Sequence, residues 1–341
     1  MKKKNNLKYL FNFLLIIIVL AIVLYFSLKD NYEEIISTIL TMNYFWIVVA
    51  VFVLIGYRLC SSFGHYHIIK ANHEKVSYLK VFQINLMILF FHGITPFAGG
   101  GQPMEVYFLH KEGIPVTKAT NITLQNFIVY QIALILTGLF ALIYNRLFSV
   151  FPNNSLIKYL VVVGFLINTA VLVVTFFLSF GKKTNKIIVD AIIHLLAKIK
   201  LIKNEQKTKE KCQEYLKNFH DNAIELKKNK KIVVLTVLIN ILGLMLMYSM
   251  PYSILRGMNA NVNIFKVITA VAYVMVIGSF VPIPGGTGGV EYSFIFFFQY
   301  LIKGSILHAA MLVWRLISYY LGMIFGAFAL ALYRKKEKKC E

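Results

Sequence analysis

Residues 280–291 read F-V-P-I-P-G-G-T-G-G-V-E, and residues 94–105 read I-T-P-F-A-G-G-G-Q-P-M-E. At an offset of 186, Pro96 matches Pro282, Gly99 matches Gly285, Gly100 matches Gly286 and Glu105 matches Glu291. Each stretch follows a long apolar run and precedes a shorter one. Proline and clustered glycine break a helix. A carboxylate is costly in lipid. Broken backbone survives at membrane depth only where protein or water satisfies its polar groups. Two such breaks at equivalent places in two halves point to a site between repeats.

The rest of the chain supports a membrane setting. Of 341 residues, 58% are hydrophobic and only 15% charged. That balance is too apolar for a soluble domain and fits an all-α polytopic membrane protein. The formal net charge is +21. The few charges are therefore mostly Lys and Arg, placed outside the bilayer core, and they read as a topology signal and as attraction to anionic lipid. Nucleic acid is not an expected partner, since no soluble basic domain of useful size is present. Cys60, Cys212 and Cys340 lie far apart without ligand spacing, which argues against a disulfide framework or a zinc site. No cofactor motif is found. The start, M-K-K-K with an apolar run from Leu10 to Leu28, resembles a signal peptide. It lacks a small-residue cleavage site and reads as an uncleaved first helix.

Long apolar segments at 8–28, 44–64, 119–143, 156–180, 232–256 and 305–333 each meet the ~20 residues needed to span. Regions 81–110 and 264–302 are apolar but interrupted by the Pro/Gly motifs and read as two re-entrant hairpins. Lys2, Lys3 and Lys4 place the N-terminus in the cytoplasm. The acidic stretch with Asp30, Glu33 and Glu34 goes outside, the loop with Lys70, Lys75 and Lys80 inside, and the turn at 145–155 outside. Residues 181–231 hold fourteen Lys against six acids and form a cytoplasmic loop. Its Ile188, Ile192, Leu195, Ile199 and Ile202 fall on one face of an amphipathic, interfacial helix. The tail, 334–341, is basic and cytoplasmic. The expected organisation is two inverted repeats of about four elements each. Residues 1–144 form the first, 145–180 give a turn and the first helix of the second, and 232–333 complete it.

Candidate site residues follow from the breaks. Gly99, Gly100, Gly101, Gly285, Gly286, Gly288 and Gly289 expose backbone N–H groups ahead of half-helices expected to start near Met104 and Val290. A Gly-rich turn feeding a helix N-terminus is an anion site by geometry and dipole. The competing reading is that the glycines permit tight turns and close packing. Glu105 and Glu291 fall in the first turn of the half-helices, as caps or as groups that bind a cationic headgroup or a proton. Arg315, beside Trp314, needs a partner, and Glu291 or a lipid phosphate suits it best. Arg58 sits towards the cytoplasmic end of its helix and can snorkel. Arg58, Asn85, His92, Gln125, Asn126, Gln131 and Tyr319 are candidate cavity-lining groups, with interhelical hydrogen bonding as the plainer role. His65, His67 and His73 read as part of a solvated basic loop. No hydrolase elbow, zincin or Walker motif is present.

The segments P-F-A-G-G-G-Q-P-M-E-V-Y-F-L-H-K-E-G-I-P (96–115), P-I-P-G-G-T-G-G-V-E-Y (282–292), Lys303-Gly304 and R-L-I-S-Y-Y-L-G (315–322) resemble the lysylphosphatidylglycerol synthase transmembrane, or flippase-like, family. The resemblance implies movement of lysyl-phosphatidylglycerol or another polar-headed lipid between leaflets, linked to resistance to cationic peptides. It also implies anionic and aminoacylated phospholipids as partners, together with a separate aminoacyltransferase. Homo-oligomers are compatible with it. Full-length relatives carry a soluble aminoacyltransferase domain after the membrane region. This chain stops at Glu341, which leans away from an enzyme. The alternatives are a phosphatidylglycerol lysyltransferase using lysyl-tRNA and a non-transporting membrane partner of one. The expected location is the cell membrane, multi-pass, with both termini cytoplasmic.

Overall fold

Helix after helix here carries apolar side chains on its outer face. Phe52 on one helix, Leu166 on another and Phe328 on a third are all more than half exposed. Water would not tolerate such faces, but lipid does. The computed structural model describes residues 32–95, 99–152, 155–180, 230–278, 281 and 283–340, with scattered residues between 189 and 213. The expected first helix, and nearly all of the amphipathic segment within 181–231, lie outside the described residues.

The described elements are helical. They are α1 (Tyr32–Thr41), α2 (Phe45–Ala71), α3 (Tyr78–Ile94), α4 (Gly101–Lys111), α5 (Val116–Phe148), α6 (Ser155–Phe180), α7 (Lys230–Gly257), α8 (Ile264–Gly278), α9 (Gly289–Phe298), α10 (Ser305–Arg315) and α11 (Gly322–Cys340). A 3₁₀ turn covers Pro284–Gly286, and a π-helical segment, Leu316–Leu321, joins α10 to α11. By length and composition, α2, α5, α6, α7 and the continuous stretch Ser305–Tyr333 can cross a membrane. The apolar helices α3 and α8 have 17 and 15 residues. At ~1.5 Å per residue they fall short of a ~30 Å hydrocarbon core.

Three expectations need correction. The acidic stretch after residue 30 is not a loop: Glu33 and Glu34 occupy the first turn of α1, where the helix dipole favours them. Helix α2 does not stop at 64 but runs to Ala71, which draws His65 and His67 into the helix. The half-helix of the first motif starts at Gly101 rather than near Met104. Pro103 is its third residue, where a missing N–H costs nothing.

The starts of α2, α3, α4 and α5 map onto those of α7, α8, α9 and α10 within three residues of the 186 offset. Helices α2 and α7 lie side by side and antiparallel. Asn43 N–H donates to the Gly257 carbonyl at one end (2.8 Å), and Gly64 faces Asn240 towards the other. Helix α3 packs on α11, while α8 packs on α5. Gly326 makes the first contact possible: a Cβ there would lie 2.7 Å from the Leu86 carbonyl oxygen.

Helix α5, 33 residues and ~50 Å long, acts as a ruler between the two ends of the bundle. At its N-terminal end, Lys118 pairs with Glu74 (2.7 Å) and Lys80 with Glu112 (2.8 Å). The start of α3 and the end of α4 therefore share that end. At its C-terminal end, Tyr144 packs against Phe265 with the rings tilted, and Phe151, just beyond, packs on Tyr300. The start of α8 and the end of α9 share the opposite end. Each hairpin leaves the bundle at the end where it entered, and the two hairpins enter from opposite ends.

Candidate functional site

The first motif is built around Thr95. As the residue before Pro96 it is pushed to an extended conformation (φ −118°, ψ 143°), and α3 ends there. Its hydroxyl donates to the Phe91 carbonyl (2.7 Å) and accepts the Gly100 N–H (2.9 Å). The His92 ring lies 2.0 Å from where a Cβ on Gly101 would sit, so any larger residue there would have to displace that ring. Glu105 is the fifth residue of α4, not in its first turn, and is 4% exposed. Its Oε1 lies 3.1 Å from Nε2 of His65, which is fully buried. The pair is close but not aligned as a hydrogen bond, and it is an ion pair when the imidazole carries its second proton. His65 Nδ1 contacts Asn85 Oδ1 (3.2 Å), and Asn85 Nδ2 donates to the Ser62 hydroxyl (3.1 Å). The reading of His65 as a solvated loop residue is thus overturned. The carboxylate of Glu105 gives it a buried partner, and α2 continues past it.

The second motif is tighter. Gly285, Gly286 and Gly288 all have positive φ (66°, 64° and 89°), which only glycine adopts readily. Glu291 is the third residue of α9. Its Oε2 accepts the Gly288 N–H (2.7 Å), and its Oε1 accepts Arg315 Nε–H (2.6 Å). Arg315 also donates from Nη2 to the Gly285 carbonyl (3.0 Å), and its guanidinium lies 4.5 Å over the Tyr319 ring. Tyr319 in turn donates its hydroxyl proton to the Gly93 carbonyl of α3 (2.8 Å). One chain of contacts, Glu291–Arg315–Tyr319–Gly93, ties the second motif to the helix that feeds the first. Losing one member of a buried pair such as Glu291–Arg315 costs about 3–5 kcal/mol.

The glycines provide geometry more than free donors. The Gly286 N–H donates to the Ile283 carbonyl (2.8 Å), and those of Gly100 and Gly288 are engaged as above. The expectation that these three amides cradle a phosphate is corrected accordingly. Gly99 and Gly289 border the same two turns.

A cavity of about 660 Å³ lies between the motifs, within the ~300–1,000 Å³ usual for small-molecule sites. Gly93, Gln102 and Glu105 reach it from the first motif, and Gly285, Gly286 and Val290 from the second. Arg58, Asn85, His92, Asn126, Arg315 and Tyr319 also line it. Gln125 does not: it is buried elsewhere and accepts from Asn72 Nδ2 (2.8 Å). Tyr130, Gln131 and Asn240 line the cavity as well. Of these, Tyr130 and Asn240 carried no signal beyond being polar in apolar runs. Arg58 is the fourteenth of the 27 residues of α2, hence mid-helix rather than near an end, because α2 runs on to Ala71. A central Arg costs ~2.5–3.5 kcal/mol on insertion scales.

The family described as Lysylphosphatidylglycerol synthase TM region matches residues 12–326. The chain belongs to this family. It is also similar to a UPF0104 membrane protein of Archaeoglobus fulgidus, with 23% identity over 269 residues, covering 75% of this chain and 76% of the relative. Family membership and the apolar helices together make this a multi-pass membrane protein, and the family name points to lysyl-phosphatidylglycerol.

Proposed function

We propose that this family member moves a polar-headed phospholipid between leaflets, lysyl-phosphatidylglycerol being the substrate the family name suggests. In this reading the halves are inverted repeats, and the two hairpins form the headgroup path. The observation that carries it is the shared cavity: both motifs and the middles of α2 and Ser305–Tyr333 line one space, whose largely apolar wall carries Arg58, Glu105, Arg315 and several neutral polar groups. Lipid-facing apolar surfaces outside, and charged and polar groups set into a cavity inside, are what headgroup passage requires. Lys70, Lys75, Lys80, Lys111 and Lys118 gather at the end of α5 assigned to the cytoplasm. Among the described side chains, Lys230 and Lys231 at the start of α7 bring that end to seven basic residues against four at the other, Arg146, Arg256, Lys266 and Lys303, an excess that follows the positive-inside rule. Lipid export of this kind contributes to resistance against cationic peptides.

The test is a fluorescent-lipid assay in proteoliposomes. The expected result is headgroup-labelled phospholipid reaching the far leaflet faster than in protein-free vesicles, while the same preparation incorporates no radiolabelled lysine into lipid from lysyl-tRNA. No acceleration for any phospholipid would overturn the translocase reading. Incorporation of lysine would replace it with the enzyme.

A further inference from the structure

The cavity holds two arginines in opposite conditions. Arg315 is engaged on three sides, by Glu291, by the Gly285 carbonyl and by the Tyr319 ring. Among the described residues Arg58 has no hydrogen-bond or ion-pair partner. Its Nε is buried without a partner, and its guanidinium lies 4.7 Å over the ring of its neighbour Tyr57. In the same cavity Glu105 faces His65, and the Arg315 of its wall is taken up by Glu291. Both motif carboxylates thus already have partners, which leaves Arg58 as a charge in want of an anion. A buried polar group without a partner calls for an explanation, and a guanidinium fork matches phosphate geometry. Other unpartnered polar atoms share the wall: Thr123 Oγ1 is buried with no partner, and Ser61, one helical turn from Arg58, lines the same space.

Resting on the translocase reading, we infer that Arg58 is the anion anchor of the cavity and binds the phosphodiester of a phospholipid headgroup. Arg315 shapes the second motif instead of binding the ligand. The phosphodiester is favoured over a free phosphate because Leu89, Phe127 and Leu134 make the wall beside the polar groups apolar, which suits the glycerol and upper acyl region of a lipid.

The experiment uses the full chain purified in detergent. Thermal shift and native mass spectrometry are read with phosphatidylglycerol, phosphatidylcholine, diacylglycerol and glycerol 3-phosphate as probes. Both phospholipids should bind at least tenfold more tightly than diacylglycerol, and glycerol 3-phosphate should bind far more weakly than either. Arg58→Gln should abolish the preference for phosphate-bearing lipid, and Arg58→Lys should retain part of it. The lipid-free Arg58→Gln protein should melt at the same temperature as wild type or higher, since it loses an unpaired, half-buried charge. A clearly lower melting temperature would make Arg58 a structural residue and overturn the proposal. So would an unchanged phospholipid preference in Arg58→Gln. Glycerol 3-phosphate binding as tightly as phospholipid would replace the lipid with a small soluble anion. Wild-type protein that binds phospholipid through Arg58 but moves none would leave the anchor standing and sink only the translocase reading.

Discussion

Glu105 and Glu291 sit at equivalent places 186 residues apart, yet their counter-charges differ in kind. Glu291 faces an arginine, which cannot lose its proton, at 2.6 Å. Glu105 faces a histidine, which can, at 3.1 Å. Glu291→Gln therefore strands a permanent buried charge and should cost about 3–5 kcal/mol. Glu105→Gln should cost clearly less, because His65 can become neutral beside the amide. Thermal unfolding of both variants in detergent measures this, and equal losses would show that His65 behaves as a fixed cation. The double replacement Glu291→Gln with Arg315→Met should recover much of the single loss, as removal of both charges often does. The Arg315–Glu291 pair was legible in the sequence: a mid-helix arginine needs a carboxylate, and few are available in the apolar runs. His65 was not legible. In S-S-F-G-H-Y-H (61–67) it looks like the polar end of a span, and only the tertiary approach of α4 supplies its partner.

The breaks were readable, and the starts of the spanning helices to within a few residues, while α1, the helix ends and the irregularities were not. Pro96 and Pro284 fix where α3 stops and where the second turn begins, by pushing Thr95 and Ile283 into extended backbone. Pro103 could also have placed the start of α4 correctly, since proline is welcome only in a first turn. The π-helical segment Leu316–Leu321 has no such marker, because its apolar spacing is that of any helix. Such segments recur at functional sites, and this one carries Tyr319, which reaches across to Gly93. Tyr319→Phe should keep the ring under Arg315 but lose that hydrogen bond, a net loss of about 1 kcal/mol. A melting temperature equal to wild type would show that the bond does not tie the halves together. Gly326 offers a packing test on the neighbouring helix. Gly326→Leu would drive a side chain into the Leu86 and Phe90 backbone and should destabilise by about 1–3 kcal/mol. Gly322→Ala, whose nearest neighbour is Leu89 Cδ1 at 3.8 Å, should be tolerated. Similar melting temperatures for the two variants would mean that α11 can move away from α3 at little cost.

At the scale of the whole molecule, the placement of basic residues and the direction of each hairpin make one joint statement. The residues pairing α3 with α4, Lys80 and Glu112, lie at the N-terminal end of α5. The contact of α1 with α10, Thr38 to Ser305 at 3.2 Å, lies at the other end with the exit of α9. If the Lys-rich end is cytoplasmic, the connection 112–115 faces the cytoplasm and the connection 299–304 faces outside, although the 186 offset makes them counterparts. Two counterparts on opposite faces of a membrane define an inverted repeat. Single cysteines placed in a cysteine-free background test this directly. A cysteine at Glu112 or at His73 should resist a membrane-impermeant maleimide in intact cells and react after lysis. A cysteine at Lys303 or at Ser37 should react in intact cells. Glu112 and Lys303 reacting from the same side would break the inverted arrangement. All four positions reacting with the opposite pattern would keep the arrangement and turn the molecule over in the membrane, which would place the Lys-rich end against the rule that otherwise governs such proteins.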